Sequence, residues 1–386
     1  MASGHIHAGI VAGEASGDLL GSHLVAALKA REPRFDFAGI AGPKMMAHGV
    51  ESLFPMEKLS VRGYVEVLRH YREIMGIRRS LTARLLAMNP ALFIGVDAPD
   101  FNLDLERVLR DKGIPAIHFV GPSVWAWRRW RLRRIAKSVT HMLVMFPFEA
   151  PIYEAEGIPA TYVGHPLADV VPFEIDRQAA RDALKLPPGR LIVALLPGSR
   201  RQELEYMADD FVQAAMRVHA AIGSVHFVCP MASRQTRDLF EAAIYRNGAR
   251  ELPLTLMFGH SHEALAAADV ALVGSGTATL EAALFKAPMV ITYRQSPVTW
   301  ALMKRMLYLP WIGLPNILAG EFLVDELVQE QATPENLARA LLALLDDAAR
   351  RNRQRERFLE IHASLRQDTA GKAAEAVLGV LEAHRA

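Results

Sequence analysis

The sequence predicts an α/β protein built from two Rossmann-like domains. Three observations point there. Short apolar runs bounded by Gly, Pro or charge alternate with helical periodicity from end to end. That is the βαβ rhythm of a parallel, doubly wound sheet. The chain has 386 residues, more than one hydrophobic core usually organises. The rhythm also lapses once, in the Pro-punctuated stretch from Val163 to Asp176, and then starts again. The expected division is one domain over 1–168 and a second over 169–364, with a terminal helix at about 365–386 packing back on the first.

In the first domain "HAGIVAGE", "FDFAGIAG", "ALFIGVDA", "IPAIHFV" and "VTHMLVM" read as buried strands. Helical patterns such as "SGDLLGSHLVAALKARE" separate them. In the second, "RLIVALLPGS", "SVHFVCP", "LPLTLMF", "ADVALVG" and "APMVITY" read as strands. Ser199 and Gln202 fit a capping box for the first helix of that series. Thr333 and Pro334 fit the N-cap and first turn of a late helix. The chain ends in helices rich in Ala, Leu and Arg.

Composition excludes several classes of function. With 44 basic and 42 acidic residues the net charge is only +2, too small for a dedicated nucleic-acid binder. Cys229 is the only cysteine, so no intrachain disulfide forms, which fits a reducing compartment. No apolar run approaches the roughly 20 residues of a membrane span. Glu14 and Asp18 interrupt what would be the core of a signal peptide. The expected location is cytoplasmic, with membrane contact at the surface only.

Four stretches carry candidate chemistry. "VAGEASGDLLG", from Val11 to Gly21, is a strand, a Gly-rich turn and a helix start. Such a turn can hold a phosphate. Here the G-x-G-x-x-G pattern is missing, and Glu14 and Asp18 would repel a pyrophosphate. Acids that accept hydrogen bonds from sugar hydroxyls fit better; a tight turn whose acid complements the helix dipole is the alternative. "GVDAPDFN" places Asp97 at the end of a very apolar strand. Ligands of open α/β sheets lie beyond such ends, and partial desolvation suits a general base. Asp97 reads equally as a turn or capping acid before a helix starting near Asn102, and Asp100 looks more like the cap.

"LLPGSRRQELE" and "GSGTATLEAALF" are strand–loop–helix junctions of the second domain. In the first, Gly198 permits close backbone approach, Ser199 caps, and Arg200 and Arg201 lie nearby, a set suited to phosphate. In the second, small residues let backbone N–H groups of Ser275, Gly276 and Thr277 face an anion. Glu281, further along the helix, is placed for ribose hydroxyls. Together they point to a nucleotide diphosphate. Metal chemistry finds no H-E-x-x-H, Cys/His cluster or D-x-D, and His260 and His262 read as helix-start residues. No G-x-S-x-G elbow is present.

With those pieces in order, the sequence resembles the lipid-A-disaccharide synthases. The matching stretches are "VAGEASGDLLG", "GVDAPDFN", "PSVWAWR", "GHPLAD", "LLPGSR", "SGTATLEAAL", "PMVITYR" and "LPNILAG", from residue 11 to about residue 320. Gly121, where serine is expected before "PSVWAWR", is the one departure. The resemblance implies a two-domain GT-B glycosyltransferase with its domains facing across a cleft. It implies inverting transfer of 2,3-diacylglucosamine from UDP-2,3-diacylglucosamine to 2,3-diacylglucosamine 1-phosphate. The products are a β(1→6) disaccharide 1-phosphate and UDP. The acceptor belongs to the first domain and the UDP-sugar to the second, with no metal and no other cofactor.

The same resemblance assigns Asp97 as base, with Glu14 orienting sugar hydroxyls or serving as the alternative base. Arg200 and Ser199, with Ser275, Gly276 and Thr277, bind the diphosphate, and Glu281 holds the ribose. Ser16 and Asn316 line the acceptor site or cleft. It leaves room for a homodimer.

Lipid substrates give a role to "GPSVWAWRRWRLRRIAKS", from Gly121 to Ser138, with its three Trp and six basic residues. Arg128, Arg129 and Arg131 are expected to face anionic lipid on the inner face of the inner membrane. Trp125 and Trp127 fit either that role or the core. "VRGYVEVLRHYREIMG" adds an apolar helical stripe including Val65, Leu68 and Met75, expected to dock on the bilayer; a core helix is the competing expectation. "WALMKRMLYLPW", from Trp300 to Trp311, is a second apolar stretch. Rival readings are a nucleic-acid module, a UDP-N-acetylglucosamine 2-epimerase, and a different membrane-associated glycosyltransferase.

Overall fold

The computed structural model describes residues 4–59 and 64–385, and for residues 64–70 the backbone alone. Two compact units emerge. One runs to Asp169 and takes back the C-terminal segment from Leu365; the other is Val170–Ser364.

The first unit holds seven strands: β1 (Ile6–Ala12), β2 (Phe35–Ile40), β3 (Val50–Ser52), β4 (Leu92–Val96), β5 (Ala116–Phe119), β6 (His141–Val144) and β7 (Ala160–Tyr162). Their order is β3-β2-β1-β4-β5-β6-β7, and every pairing is parallel. β1 and β4 form its centre and are buried on both faces, which is why they read as continuous apolar runs. The terminal helix Thr369–Arg385 adds Ala373, Ala374, Val377 and Leu381 to this unit's core.

The second unit holds β8 (Leu191–Leu196), β9 (Val225–Met231), β10 (Leu254–Phe258), β11 (Val270–Gly274), β12 (Met289–Tyr293) and β13 (Asp325–Val328). Their order is β10-β9-β8-β11-β12-β13, again all parallel. Strand order reverses between β1 and β4 in one sheet and between β8 and β11 in the other. Helices leave those neighbours in opposite directions, which opens a crevice at the carboxyl ends of the strands.

β3, β7 and β13 were not anticipated. They are edge strands of three or four residues, and β7 and β13 are only half-buried. An edge strand needs little apolar sequence, so it leaves no periodic signal.

Two backbone crossings between the units are tied together within the first. Asp169 accepts hydrogen bonds from the backbone N–H groups of Gln367, Asp368 and Thr369 at 3.0, 3.0 and 2.8 Å. Thus a side chain just before one crossing caps the start of the helix that follows the other. The late helix Pro334–Asp346 starts as expected, with Thr333 accepting from Asn336 N–H.

Candidate active site

At the first switch point Asp97 follows β4 directly. Asp97 and Ala98 both have left-handed backbones, with φ of 52° and 44°. For residues with a Cβ such conformations cost on the order of 1–3 kcal/mol each. They turn the chain so abruptly that the helix begins at Pro99, three residues before the expected start. Asp97 is held from two sides: its N–H donates to Phe119 O at 2.8 Å, and Asn102 Nδ2 donates to its carbonyl at 2.8 Å. Burial raises the proton affinity of its carboxyl, while a hydrogen bond from the Ala98 backbone and the His118 charge act in the opposite sense. Asp100 is no cap; it is exposed and ion-paired with Arg131.

Glu14 stands at the same switch point, at the N-cap of the helix Ala15–Arg31 with an extended backbone. Its charge acts on Asp97. The structure thus brings Asp97 and Glu14 together. Ser16 lies exposed in the first helical turn. Asp18 departs from the expectation of a sugar-facing acid. It is buried and accepts from the N–H groups of Gly42, Lys44 and Met45, all at 3.0 Å. Its carboxylate caps the short helix Pro43–Ala47.

Beneath Asp97 lies a pair that sequence reasoning missed. His118 on β5 and Glu106 on the helix Pro99–Asp111 are wholly buried, with Nδ1 and Oε1 2.6 Å apart. His118 pairs in register with Gly95. A Cβ at Gly95 would come within 2.1 Å of Glu106 Oε1, so only glycine leaves room for the carboxylate. A histidine inside an apolar strand and a glutamate on an amphipathic helix give no signal until the sheet register brings them together.

At the second switch point a cavity of about 410 Å³ lies over the ends of β8, β9 and β11. Ser199, Arg200, Gly276, Thr277 and Glu281 line it, as does Ser275. The capping arrangement is not the expected one. Glu203, not Gln202, closes the turn: its Oε2 accepts from the N–H groups of Ser199 and Arg200 at 2.9 and 3.1 Å. The helix accordingly starts at Arg201, with Arg200 as N-cap and its guanidinium largely exposed at the cavity. Glu203 wins because an acid at the third helical position reaches two otherwise unpaired donors.

Across the cavity, Ser275 N–H is spent on Thr292 O at 2.9 Å. It is therefore no anion donor, contrary to expectation. Gly276 caps the helix Thr277–Leu284 at φ 146°. Its first turn still offers N–H groups with no intrahelical acceptor. Burial raises the proton affinity of Glu281, and His262 Nε2, 3.9 Å away, opposes that. His262 and the end of β9 at residues 230–232 were missed as parts of the site, because nothing in a single helix-start histidine says which helix it will face.

Asn316 does not line a site. It is fully buried, donates to Val324 O and Glu326 Oε1 at 2.8 Å, and accepts from Val324 N–H at 2.8 Å. Its amide pins the turn before β13, and Glu326 in turn holds the N–H groups of Ile312 and Gly313.

The basic stretch divides. Trp125 packs edge-on against Phe146 and Phe148 at 6.4 and 5.3 Å, so it belongs to an aromatic cluster. Arg128 stacks on Trp127 at 3.9 Å. Arg131 turns inward to Asp100, and Arg134 to Asp104; Arg131 is therefore no lipid contact. Arg129 and Trp130 are exposed. The absence of a side chain at Gly121 has a local cause: a Cβ there would meet Tyr153 Oη at 2.4 Å. The side chains of Val65 and Leu68 lie outside what the structure describes. Met75 is half-buried, its sulfur accepting from Arg78 at 2.9 Å.

A family model described as lipid-A-disaccharide synthetase matches residues 8–380. Lipid-A-disaccharide synthase of Dechloromonas aromatica is 56% identical over 373 residues, 96% of this chain and 98% of the relative. That of Methylobacillus flagellatus is 52% identical, over 97% and 99% of the two chains. Among solved structures, UDP-GlcNAc 2-epimerase from Neisseria meningitidis bound to UDP-GlcNAc superposes with TM-score 0.62 at 12% identity, covering 98% and 100% of the chains. WaaG, a glycosyltransferase involved in lipopolysaccharide biosynthesis, gives 0.57 at 15%, covering 97% and 100%. At such identities these two show the fold alone.

Proposed function

This chain belongs to the lipid-A-disaccharide synthase family, and on that premise we propose how its residues divide the reaction. The protein is a glycosyltransferase of lipid A biosynthesis with the two Rossmann-like domains of the GT-B architecture. Its donor is UDP-2,3-diacylglucosamine and its acceptor 2,3-diacylglucosamine 1-phosphate. The first unit takes the acceptor, and the second takes the UDP-sugar.

Asp97 accepts the proton of the acceptor's 6-hydroxyl as that oxygen attacks the anomeric carbon. The bond to the UDP oxygen breaks from the opposite face, its electron pair leaving with UDP, and the configuration inverts. A carboxylate whose proton affinity is raised by burial suits this task. Glu14 orients sugar hydroxyls. Arg200 and the helix start at Gly276 and Thr277 stabilise charge gathering on UDP. A helix end carries about half a positive charge, and one preorganised donor is typically worth a few kcal/mol. Glu281 holds the ribose.

The observation that carries this division is the second unit's cavity, in which Arg200, Thr277 and Glu281 converge. Calorimetry with UDP tests it. Arg200→Ala and Glu281→Ala should weaken binding about tenfold each, the loss of one charge-assisted hydrogen bond, while Asp97→Asn should not. Unchanged affinity in both cavity variants would move the nucleotide elsewhere.

The enzyme works at a membrane surface. No described helix is long and apolar enough to cross a bilayer. Extracting an acyl chain of about ten methylenes into water would cost on the order of 8 kcal/mol. Docking on the inner face of the inner membrane avoids most of that. Exposed Trp130 and Arg129 suit the headgroup layer. So does the helix Pro297–Lys304, which has no buried residue and exposes Val298 and Leu302.

A further inference from the structure

The pair beneath Asp97 has no part in the division of labour above, yet its construction is specific. His118 and Glu106 are both fully buried. Glu106 Oε2 and His118 Nε2 have no hydrogen-bond partner, although unpaired polar atoms are expensive inside a core. A purely structural role would be met more cheaply by an apolar pair of similar volume.

Register places this pair behind the reacting carboxylate. His118 lies opposite Gly95 on the neighbouring parallel strand, and Asp97 is two residues beyond Gly95. The Asp97 N–H donates to the carbonyl of Phe119, the residue after His118, at 2.8 Å. Glu106 is one helical turn beyond Asn102, which holds the Asp97 carbonyl. Asp97 and the His118–Glu106 pair thus meet where β4 and β5 end, and the His118 charge acts on the Asp97 carboxyl. The 2.6 Å contact is that of a charge-assisted hydrogen bond.

From this geometry we infer that Glu106 and His118 are positioning residues for Asp97: Glu106 holds the His118 ring as an imidazolium, and the imidazolium keeps Asp97 ionised to receive the acceptor's proton. The inference rests on Asp97 being the base.

Other charges near Asp97 cannot supply this. Glu14, at the end of β1, is negative and opposes ionisation. Asp100, exposed, and Asp104, half-buried, on the same helix as Glu106, are matched by Arg131, Arg78 and Arg134. Burial disfavours a charged His118 ring, and Glu106, Asp97 and a backbone hydrogen bond at Val120 together outweigh it and raise the ring's proton affinity. Burial raises the proton affinity of Glu106, and the His118 charge and hydrogen bond oppose that.

Loss of the positive charge makes Asp97 a weaker acid, so the acidic limb of the pH profile must move up. The test is kcat/KM against pH for His118→Asn, which can still donate to Glu106, and for Glu106→Gln. Both limbs should move up by about one unit or more, with UDP affinity unchanged. The double variant should shift no further than either single one. Limbs that stay in place in folded variants overturn the inference.

Asp97→Asn separates this from failure of the base assignment. If that variant stays active, the assignment falls; if it is inactive and the limbs do not move, the pair's role alone falls. Should the variants not fold, the wild-type enzyme decides. With 15N-labelled histidine, one doubly protonated ring should persist at pH 8.5. A spectrum with none overturns the inference.

Discussion

At the residue scale the proposed chemistry sits where the backbone is strained. Two successive left-handed residues, Asp97 and Ala98, end β4, and the turn they impose frees the carboxylate from any capping duty. Asp97→Asn should therefore lower kcat by about 10²–10⁴-fold, the range of positioned proton transfer, while the thermal midpoint barely changes. A variant with half the activity left would promote Glu14 to base. A second acid gives a stability signature. Glu149 is buried against the N–H groups of Met145 and Phe146. Burial pushes its carboxyl up to about 8, against about 4.3 in an unfolded chain. Between those values the unfolded state releases the proton and the folded state keeps it, so stability falls as pH rises from about 4.3 to 8. Glu149→Gln, which keeps an acceptor for both N–H groups, should flatten that fall in urea unfolding at pH 5 and pH 8. An unchanged pH dependence would show that Glu149 is ionised in the folded protein.

At the element scale, side chains decide where helices begin. Glu203 closes the turn at Ser199 and Arg200 and thereby presents the Arg200 guanidinium at the cavity. The "LLPGSRRQELE" pattern predicts a box at Ser199 and Gln202, and the structure builds it from Arg200 and Glu203. The difference is one residue of register, which only the real path of the loop resolves. Asp169 does the equivalent work at the crossings, satisfying three backbone donors that open the terminal helix. Asp169→Ala should cost about 1–3 kcal/mol, the usual penalty for stranding such donors. It should also raise hydrogen exchange at Gln367 to Thr369 first. Protection that stays uniform there would mean that water replaces the carboxylate without loss.

At the scale of the whole molecule the proposed setting is a membrane surface, reached without a spanning helix among the described residues. Val298 and Leu302 are one helical turn apart, and 81% and 59% exposed. Replacing both with serine should reduce flotation with anionic vesicles severalfold and leave the unfolding transition intact. Serine at Val65, Leu68 and Met75 tests the other stripe. If that triple variant loses its cooperative transition, the stripe is core.

Much of this protein is written in the sequence by itself. The central strands, β1, β4, β8 and β11, are buried on both faces, so burial forces an apolar run that any reader finds. The family signature rests on contiguous stretches such as "GVDAPDFN" and "LLPGSR", because a strand end and the loop after it are local in the chain. Tertiary structure decided what depends on register and on distant partners. It sent Asp18 to cap Gly42–Met45, buried Asn316 behind Val324 and Glu326, paired Arg131 with Asp100, and spent Ser275 N–H on β12. It also set His118 against Glu106, twelve residues apart in the chain and 2.6 Å apart in the fold. A polar side chain of fixed identity serves as ligand, cap or buried partner according to which donors come within about 3 Å of it. That neighbourhood is created only when strands take their order in the sheet and helices settle on its faces.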